Sequence, residues 1–296
     1  MRSDASKPVL RFAPSPNGRL HLGHAYSALR NERVAAQISG RLLLRIEDLD
    51  RTRSKPEFEA AIREDLDWLG VRFESPARRQ SEHPDDYAAA LLRLEALNLV
   101  YPCFCSRADV ARLAVGRDPD GAPLYGGACR SLPPDRRAER LDRGERAAWR
   151  LDMQTALRRL SAPLSWTEFG EGDAPEERRA EPELWGDIVL KGRDLAASYH
   201  LAVTVDDAIQ GVSDVVRGRD LLAATSAHRL LQTLLGLPAP RYRHHRLVLD
   251  ASGAKLSKNR SSPSLANLRA TGISAADVRA ALGFGGRTSR LEAVIS

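Results

Sequence analysis

Two histidines near the start of the chain, His21 and His24, are three residues apart and follow the turn-forming stretch PSPNG. This spacing predicts that both imidazoles lie on one face at the start of a helix. Free N–H groups and the positive end of the helix dipole suit a polyphosphate there, and imidazoles can donate hydrogen bonds to its oxygens. Gly23 would let the backbone approach a purine or a ribose closely. Taken alone, the pair is better explained as capping histidines of an ordinary helix.

Two lysines near the other end of the chain, Lys255 and Lys258, lie in the glycine-led loop GAKLSK. A lysine is a mobile point charge that can follow phosphate charge as it moves onto a leaving pyrophosphate. By itself this loop is typical of any solvated surface. The sequence contains neither a GxGxxG dinucleotide loop nor a Walker A motif, so a nucleotide site built from these two clusters would be of another kind.

The three cysteines, Cys103, Cys105 and Cys129, are close together in the sequence. An odd number of cysteines does not form the disulfide framework of a small secreted protein. Two thiolates in a Cys-x-Cys pair can share a zinc ion, which prefers four ligands. The nearby residues that could provide a fourth ligand are Tyr125, Asp118 and Asp120. Three reduced thiols in a metal-free knuckle are the alternative.

The composition indicates a folded protein with an anionic partner. The chain has 296 residues, 43% of them hydrophobic, which is enough for a substantial core. A net charge of +6 and a pI near 9.5 favour nucleic acid or a phosphorylated ligand, although a basic composition also aids solubility. The N-terminal segment lacks the apolar region of a signal peptide, and no stretch is apolar enough to span a membrane. We therefore expect a cytoplasmic protein without membrane contact. We further expect it to be a monomer.

The elements that must position these clusters alternate between strands and helices. Strands are predicted at residues 8–12 and 42–46, and helices at 23–38 and 57–69. This order is typical of a parallel α/β sheet.

The rest of the chain predicts an interrupted continuation of that sheet. The further expected elements are a helix at 84–97, an irregular insertion at 107–179, strands at 187–190, 202–205 and 247–249, and helices at 221–235 and 274–282. We divide the chain into 1–102 and 186–240 as two halves of a Rossmann-like catalytic domain, 103–185 as an inserted subdomain, and 241–296 as the lysine loop with a C-terminal helical segment.

Two pairs of adjacent polar residues are given structural interpretations. Asp206 and Asp207 are interpreted as a helix cap, with the orientation of neighbouring loops as the alternative. His244 and His245 would point to opposite faces of a strand, so no metal site is proposed for them.

Together, and in this order, the histidine and lysine clusters resemble the HIGH and KMSKS signatures of class I aminoacyl-tRNA synthetases. The words RFAPS, RIEDLD, YPCFC, YHLAVTVDD and VRGRD, which begin at residues 11, 45, 101, 199 and 216, are similar to the glutamyl branch of that family. The resemblance covers nearly the whole chain. It implies an α/β fold with a Rossmann-like parallel sheet, an inserted zinc-bearing subdomain of the acceptor-binding type, and ATP, Mg²⁺ and Zn²⁺ as substrate and cofactors.

The resemblance also implies roles for single residues. The catalytic positions are His21, His24, Lys255 and Lys258, and those that bind ATP are His21, Gly23, His24 and Lys258. The positions that bind L-glutamate are Arg11, Ala13, Ser15, Glu47, Tyr199 and Arg217. Arginines suit the carboxylates of the substrate and an acid suits its ammonium group. Glutaminyl members usually have PEPNG, so Ser15 favours glutamate.

Two departures from the full-length glutamyl enzymes resemble a group of shorter paralogues, the glutamyl-Q tRNA(Asp) synthetases. The segment after Lys258 is too short for an anticodon-binding domain, and Val203 replaces a common Asn. In that group glutamate is activated without tRNA and is passed to queuosine at the wobble position of tRNA(Asp). The cis-diol of queuosine resembles the ribose diol at a tRNA 3′ end.

The resemblance to this group further implies that zinc is held by Cys103, Cys105, Tyr125 and Cys129, although the spacing from Cys105 to Tyr125 is longer than expected. Arginine-rich stretches between residues 130 and 179 would contact phosphates, or would form a solvated face. One alternative is a truncated glutamyl-tRNA synthetase that charges a tRNA 3′ end. The other is a non-catalytic RNA-binding paralogue, which would have no need of His21, His24, Glu47 and Lys258.

Overall fold

The first part of the chain forms a parallel sheet with helical crossovers. The computed structural model describes residues 7–172, 174–249, 256 and 263–285. Its first elements are β1 (Val9–Phe12), α1 (Leu22–Gln37), β2 (Arg41–Ile46), α2 (Pro56–Leu69) and β3 (Glu74–Arg79). β2 pairs in parallel with both β1 and β3. The predicted order of strands and helices is thus confirmed, and Gly70 ends α2 in the left-handed conformation that glycine adopts easily, with φ of 77°.

The middle of the chain consists of one longer helix, α3, followed mostly by short elements. These are α3 (Pro84–Ala96), β4 (Val100–Cys103), α4 (Arg107–Arg112), β5 (Ala114–Arg117), β6 (Pro123–Tyr125), α5 (Pro134–Asp142), β7 (Ala148–Leu151), α6 (Met153–Arg158), β8 (Ser165–Glu168) and β9 (Glu176–Arg179). β5 and β6 form a hairpin that ends beside the cysteines.

The last part of the chain returns to the parallel arrangement. It contains β10 (Val189–Lys191), α7 (Tyr199–Ile209), β11 (Asp214–Gly218), α8 (Thr225–Leu235), β12 (Arg241–His245), α9 (Leu265–Ala270) and α10 (Ala275–Ala281). β11 and β12 are parallel, and β8 and β9 extend them in the order β11-β12-β8-β9. β4, β7 and β10 form a separate antiparallel sheet.

One residue joins the two parallel sheets. Ser213, directly before β11, donates its backbone N–H to the carbonyl of Val9 at 2.9 Å, and its hydroxyl accepts from the Val9 N–H at 2.9 Å. One apolar core packs α1, α2, α9 and α10 against β1 and β2, and a second packs α3, α7 and α8. The carboxyl ends of β1, β2, β11 and β12 therefore open on one cavity, as is usual for ligand sites of α/β proteins.

Two of the predicted strands were wrong, and a third was confirmed with shifted bounds. Residues 202–205 lie in helix α7, residues 187–190 overlap a shorter strand β10, and the last strand is Arg241–His245 rather than 247–249. The α7 error has a simple cause, because Leu201, Ala202, Val203 and Val205 are all buried and a continuous apolar run does not distinguish a buried helix from a buried strand. Ser198 begins this helix by accepting from the N–H of Leu201.

None of the helices in the described part of the chain combines the length and the apolar character of a transmembrane helix.

Candidate functional site

A cavity of about 520 Å³ lies at the carboxyl ends of the parallel strands. Its walls include the predicted site residues Arg11, Ala13, Ser15, His21, Gly23, His24, Glu47, Tyr199 and Arg217. They come from residues 11–24 and from three more distant positions, 47, 199 and 217, and the parallel topology brings these together. A cavity of this size can take a drug-sized ligand.

The histidine pair is both a helix cap and part of the cavity wall. Nδ1 of His21 accepts from the N–H of Gly23 at 3.1 Å, and Nδ1 of His24 accepts from the N–H of His21 at 3.2 Å. Because both Nδ1 atoms accept, each neutral ring carries its proton on Nε2. A Cβ at position 23 would lie 2.9 Å from the His21 ring. In this structure, Gly23 therefore makes room for that ring.

The lysine cluster is only partly described. Lys255 and Lys258 lie outside the described residues, but Leu256 between them lines the cavity. The described residues that follow this cluster lie beside the histidine pair. Leu265 donates its N–H to the carbonyl of Leu20 at 2.8 Å, and Ser264 forms an antiparallel β-bridge with His21.

One side of the cavity is built from buried ion pairs. Oδ1 of Asp207 accepts from Nε of Arg11 at 2.9 Å and from Nη1 of Arg45 at 2.7 Å. Arg45 is fully buried and also contacts Glu47 at 3.2 Å and Asp206 at 3.8 Å. Burial acts to lower the pKa of Arg45, but the carboxylates of Asp207, Glu47 and Asp206 outweigh it and raise that pKa. Arg11 and Glu47 are thus held by charges that the fold supplies.

Asp206 and Asp207 do not cap a helix, so that prediction was wrong. Both lie in α7 and face away from solvent. Asp206 accepts from Arg78 at 2.7 Å, from Gln80 at 2.8 Å and from the hydroxyl of Tyr87 at 3.0 Å. Two adjacent acids within an apolar helix were the available signal, because buried carboxylates are normally paired with cations.

A second part of the cavity wall is organised around Arg217, a residue that is only 5% exposed. Its Nε donates to His244 at 3.1 Å, and its Nη2 donates to the carbonyl of Leu221 at 3.1 Å and to Thr225 at 2.9 Å. Its Nη1 donates to the Tyr199 hydroxyl and to Nδ1 of His228, each at 3.3 Å. All five N–H donors of the guanidinium therefore have acceptors, and every acceptor is uncharged.

Three imidazoles surround this arginine and are held neutral. Burial lowers the pKa of His244 and of His200 to about 4, and burial together with the charge of Arg217 lowers the pKa of His228 well below its usual value. Nε2 of His228 lies 3.2 Å from Nδ1 of His200. Sequence reasoning assigned no function to these histidines, and their positions far apart in the chain gave no local signal.

Glu168 anchors this group from behind. It accepts from the N–H of His244 at 2.8 Å and from the Nδ1–H of the same ring at 2.6 Å. Burial acts to raise the pKa of Glu168, but the hydrogen bonds from His244 outweigh it and lower that pKa to about 2. Since Nδ1 of His244 donates to Glu168, its Nε2 is free of a proton and can accept from Arg217.

The three cysteines converge at the base of the insertion. Their sulfur atoms lie within 4.8 Å of one another. Sγ of Cys105 is 3.5 Å from Sγ of Cys129 and 3.6 Å from the hydroxyl of Tyr125. A hydrogen bond with Cys103 lowers the pKa of the Cys129 thiol to about 6. It outweighs burial, which acts to raise that pKa.

This donor set fits a zinc ion. A tetrahedral ion with Zn–S distances of about 2.3 Å separates its sulfur ligands by about 3.8 Å, close to the spacing of Cys105 and Cys129. The Tyr125 hydroxyl beside these thiols would be the fourth donor, and it also accepts from the backbone N–H of Cys129 at 2.8 Å. The residues that would hold zinc are Cys103, Cys105, Cys129 and Tyr125. The other two candidates, Asp118 and Asp120, lie in the turn of the β5–β6 hairpin.

The chain matches a family model described as the catalytic domain of class I tRNA synthetases (E and Q) over residues 8–286. A glutamyl-Q tRNA(Asp) synthetase from Rhodobacter capsulatus is 44% identical over 93% of this chain and 100% of that protein. One from Symbiobacterium thermophilum is 39% identical over 89% of this chain and 82% of that protein. A glutamate--tRNA ligase from Prochlorococcus marinus is 37% identical, but the match covers only 56% of its length.

Solved structures give the same fold. A crystal structure of a glutamate tRNA ligase from Elizabethkingia meningosepticum, in complex with its amino acid, matches with a TM-score of 0.70 and 29% identity. The match covers 86% of this chain and 52% of that one. The chain thus spans about half the length of this solved ligase.

Proposed function

The chain belongs to the class I tRNA synthetase family of the glutamyl and glutaminyl type, and on that premise we propose that it activates L-glutamate with ATP and transfers the glutamyl group to queuosine in tRNA(Asp). As a member of this family it is a ligase that uses ATP. The choice of glutamate, the independence from tRNA in the first step and the acceptor are the proposal.

The observation that supports glutamate is the setting of Arg217. A buried guanidinium surrounded by uncharged acceptors retains a positive charge that a substrate carboxylate can neutralise. The contacts of its Nη1 are the longest of the five, so that nitrogen can share its hydrogens with a bound carboxylate. The Tyr199 hydroxyl accepts from Arg217 and can donate its own hydrogen into the cavity. Glu47 is proposed to pair with the ammonium group, and Arg11, Ala13 and Ser15 line the same cavity.

The activation step is an in-line displacement at the α-phosphorus of ATP. An oxygen of the substrate α-carboxylate forms the new P–O bond, and the bond to pyrophosphate breaks with its electron pair leaving on pyrophosphate. His21 and His24 present Nε2–H groups to the α-phosphate, and Lys258 and Lys255 accompany the departing phosphates. Mg²⁺, held mainly by the phosphates themselves, would supply further charge stabilisation.

The acceptor step follows from the same chemistry. A hydroxyl of the queuosine diol attacks the carbonyl carbon of glutamyl-adenylate, an ester forms and AMP leaves. The names of the relatives from Rhodobacter and Symbiobacterium, and the nearly complete coverage of those proteins, support this acceptor. We propose that the tRNA backbone contacts the arginines in and around α5. The cluster of Cys103, Cys105, Cys129 and Tyr125 would contact it as well.

One experiment tests the proposal in two stages. ATP–pyrophosphate exchange is measured across the amino acids without tRNA, and the acceptor nucleotide of labelled glutamate is then mapped. We expect exchange with glutamate only, collapse of that exchange in Lys258→Ala, and label on queuosine, which should be lost when the free diol of the acceptor queuosine is oxidised with periodate beforehand. Label on the 3′-terminal adenosine would instead identify a truncated glutamyl-tRNA synthetase. RNA binding without any exchange would identify a non-catalytic paralogue.

Zinc content tests the knuckle independently of activity. We expect about one zinc per chain in freshly purified protein, and loss of zinc in Cys105→Ser because only three donors remain. Arg112→Ala, an exposed change in the same insertion, is the matched control and should retain the metal. Less than about one-tenth of a zinc per chain in the unaltered protein would contradict the site.

A further inference from the structure

The environment of Arg217 assigns a role to two histidines that the proposed reaction does not use directly. We infer that His228 and His244 are positioning residues that fix the Arg217 guanidinium with uncharged acceptors, and thereby make the cavity select an anionic side chain over its neutral amide. This inference rests on the proposed function, since it concerns how the same site distinguishes glutamate from glutamine.

The first step is the choice of acceptor. Buried arginines elsewhere in the described chain are matched by carboxylates, as Arg45 is by Asp207. Arg217 makes no ion pair within the described residues, and two imidazole nitrogens stand where carboxylates could have been. A carboxylate at either position would cancel the charge that attracts the substrate, whereas an imidazole directs the guanidinium and leaves its charge in place.

The second step is the direction of the hydrogen bonds. A guanidinium only donates, so Nδ1 of His228 and Nε2 of His244 must both be unprotonated acceptors. Glu168 enforces this for His244 by accepting at its Nδ1. For His228 the proton then lies on Nε2 and is donated to His200. Each ring is therefore locked in the one tautomer that can hold Arg217.

The third step is selectivity. Glutamate and glutamine have nearly the same shape, so steric fit separates them poorly. Arg217 has no counter-charge among the described residues, so it gains a partner when glutamate binds and stays uncompensated when glutamine binds. The two histidines preserve this difference, because they accept hydrogen bonds from Arg217 without neutralising its positive charge.

A pair of substitutions that differ only in charge tests the role. The amide oxygen of asparagine can take the place of histidine Nδ1, so His228→Asn keeps an uncharged acceptor for Arg217. His228→Asp places a carboxylate at the same point. ATP–pyrophosphate exchange of the full chain is measured against glutamate, glutamine and ATP concentration, and thermal melting confirms that both variants fold.

We expect His228→Asn to keep the KM for glutamate within about threefold of the unaltered protein, and His228→Asp to raise it on the order of 100-fold. The preference for glutamate over glutamine should fall in the Asp variant only, and the KM for ATP should stay the same in both. If His228→Asp does not fold, His244→Gln and His244→Glu repeat the comparison at Nε of Arg217.

Equal changes in the Asn and Asp variants, in a protein whose unaltered form exchanges with glutamate, would overturn the inference alone. No glutamate-dependent exchange in the unaltered protein would overturn the proposed function, and the inference would fail with it.

Discussion

The two sides of the cavity hold their buried arginines in opposite ways. Arg11 and Arg45 are held by the carboxylates of Asp206, Asp207 and Glu47. Arg217 is held by imidazoles, hydroxyls and a carbonyl. In the first arrangement, carboxylates of the protein neutralise the arginines. In the second, the positive charge of Arg217 remains for a ligand to neutralise.

This difference separates a structural role from a recognition role. A buried ion pair is costly to break, because the remaining charge has no solvent to stabilise it. Asp206 and Asp207, the carboxylates of the ion-paired side that are not proposed to contact the substrate, should therefore affect mainly the free energy of unfolding. A cation with neutral partners contributes less to folding but more to the binding of an anion, so the imidazole side should affect mainly the KM for glutamate.

The largest effect is expected from Asp207→Asn on the ion-paired side. The substitution removes the negative charge shared by Arg11 and Arg45, and we expect the free energy of unfolding to fall by about 3–5 kcal/mol. Urea unfolding followed by circular dichroism measures this loss. Asp67→Asn is the matched control, because Asp67 is 71% exposed and its ion-pair partner within the described residues is Arg72, so its loss should stay below about 1 kcal/mol. Equal losses in the two variants would remove the distinction between the sides.

A smaller and different effect is expected from Arg217→Gln. This change removes the charge of the imidazole side, and we expect kcat/KM for glutamate to fall by about 100-fold to 1,000-fold, mostly through KM. The free energy of unfolding should fall by less than in Asp207→Asn, since no buried carboxylate loses its partner. Steady-state exchange kinetics and urea unfolding of the same preparations test both parts. An unchanged KM for glutamate would place recognition elsewhere in the cavity.

The ion-paired side could be anticipated from sequence only in part. Arg11 and Glu47 stand in recognisable words, and the strand, turn and helix around them follow from glycine, proline and alternating apolar residues. Asp207 and Arg11 are 196 positions apart, and their pairing depends on the packing of α7 against β1 and β2. Because residues 202–205 were predicted as a strand, the acids that follow them were misinterpreted as well.

The imidazole side was less accessible to sequence reasoning. Arg217 and Tyr199 were predicted from their motifs, whereas His228 and His244 carry no local pattern. Their function arises from tertiary contacts, with Glu168 and His244 separated by 76 positions. Neutral histidines beside an arginine are a property of burial and hydrogen-bond direction, which appear only when the strands are placed side by side.

The smallest effect is a pH dependence of stability that belongs to the imidazole side. His244 has a pKa of about 4 in the folded protein and about 6.5 in the unfolded chain. Between these values the unfolded chain binds more protons, so this histidine makes stability fall as the pH is lowered. One proton corresponds to a slope of about 1.4 kcal/mol per pH unit. Burial raises the pKa of Asp65 to about 6, which acts in the opposite direction over much of this range.

For this reason the test compares two proteins rather than one profile. Urea unfolding at pH 7, 6 and 5 is measured for the unaltered protein and for His244→Gln, in which Asp65 is unchanged. We expect the free energy of unfolding to change less steeply with pH in the variant. The difference in slope should correspond to about one bound proton, because glutamine does not titrate. Parallel profiles would mean that His244 takes up its proton over the same pH range in the folded protein as in the unfolded chain. A protonated His244 could not accept from Arg217, and the contrast between the two sides of the cavity would then be lost.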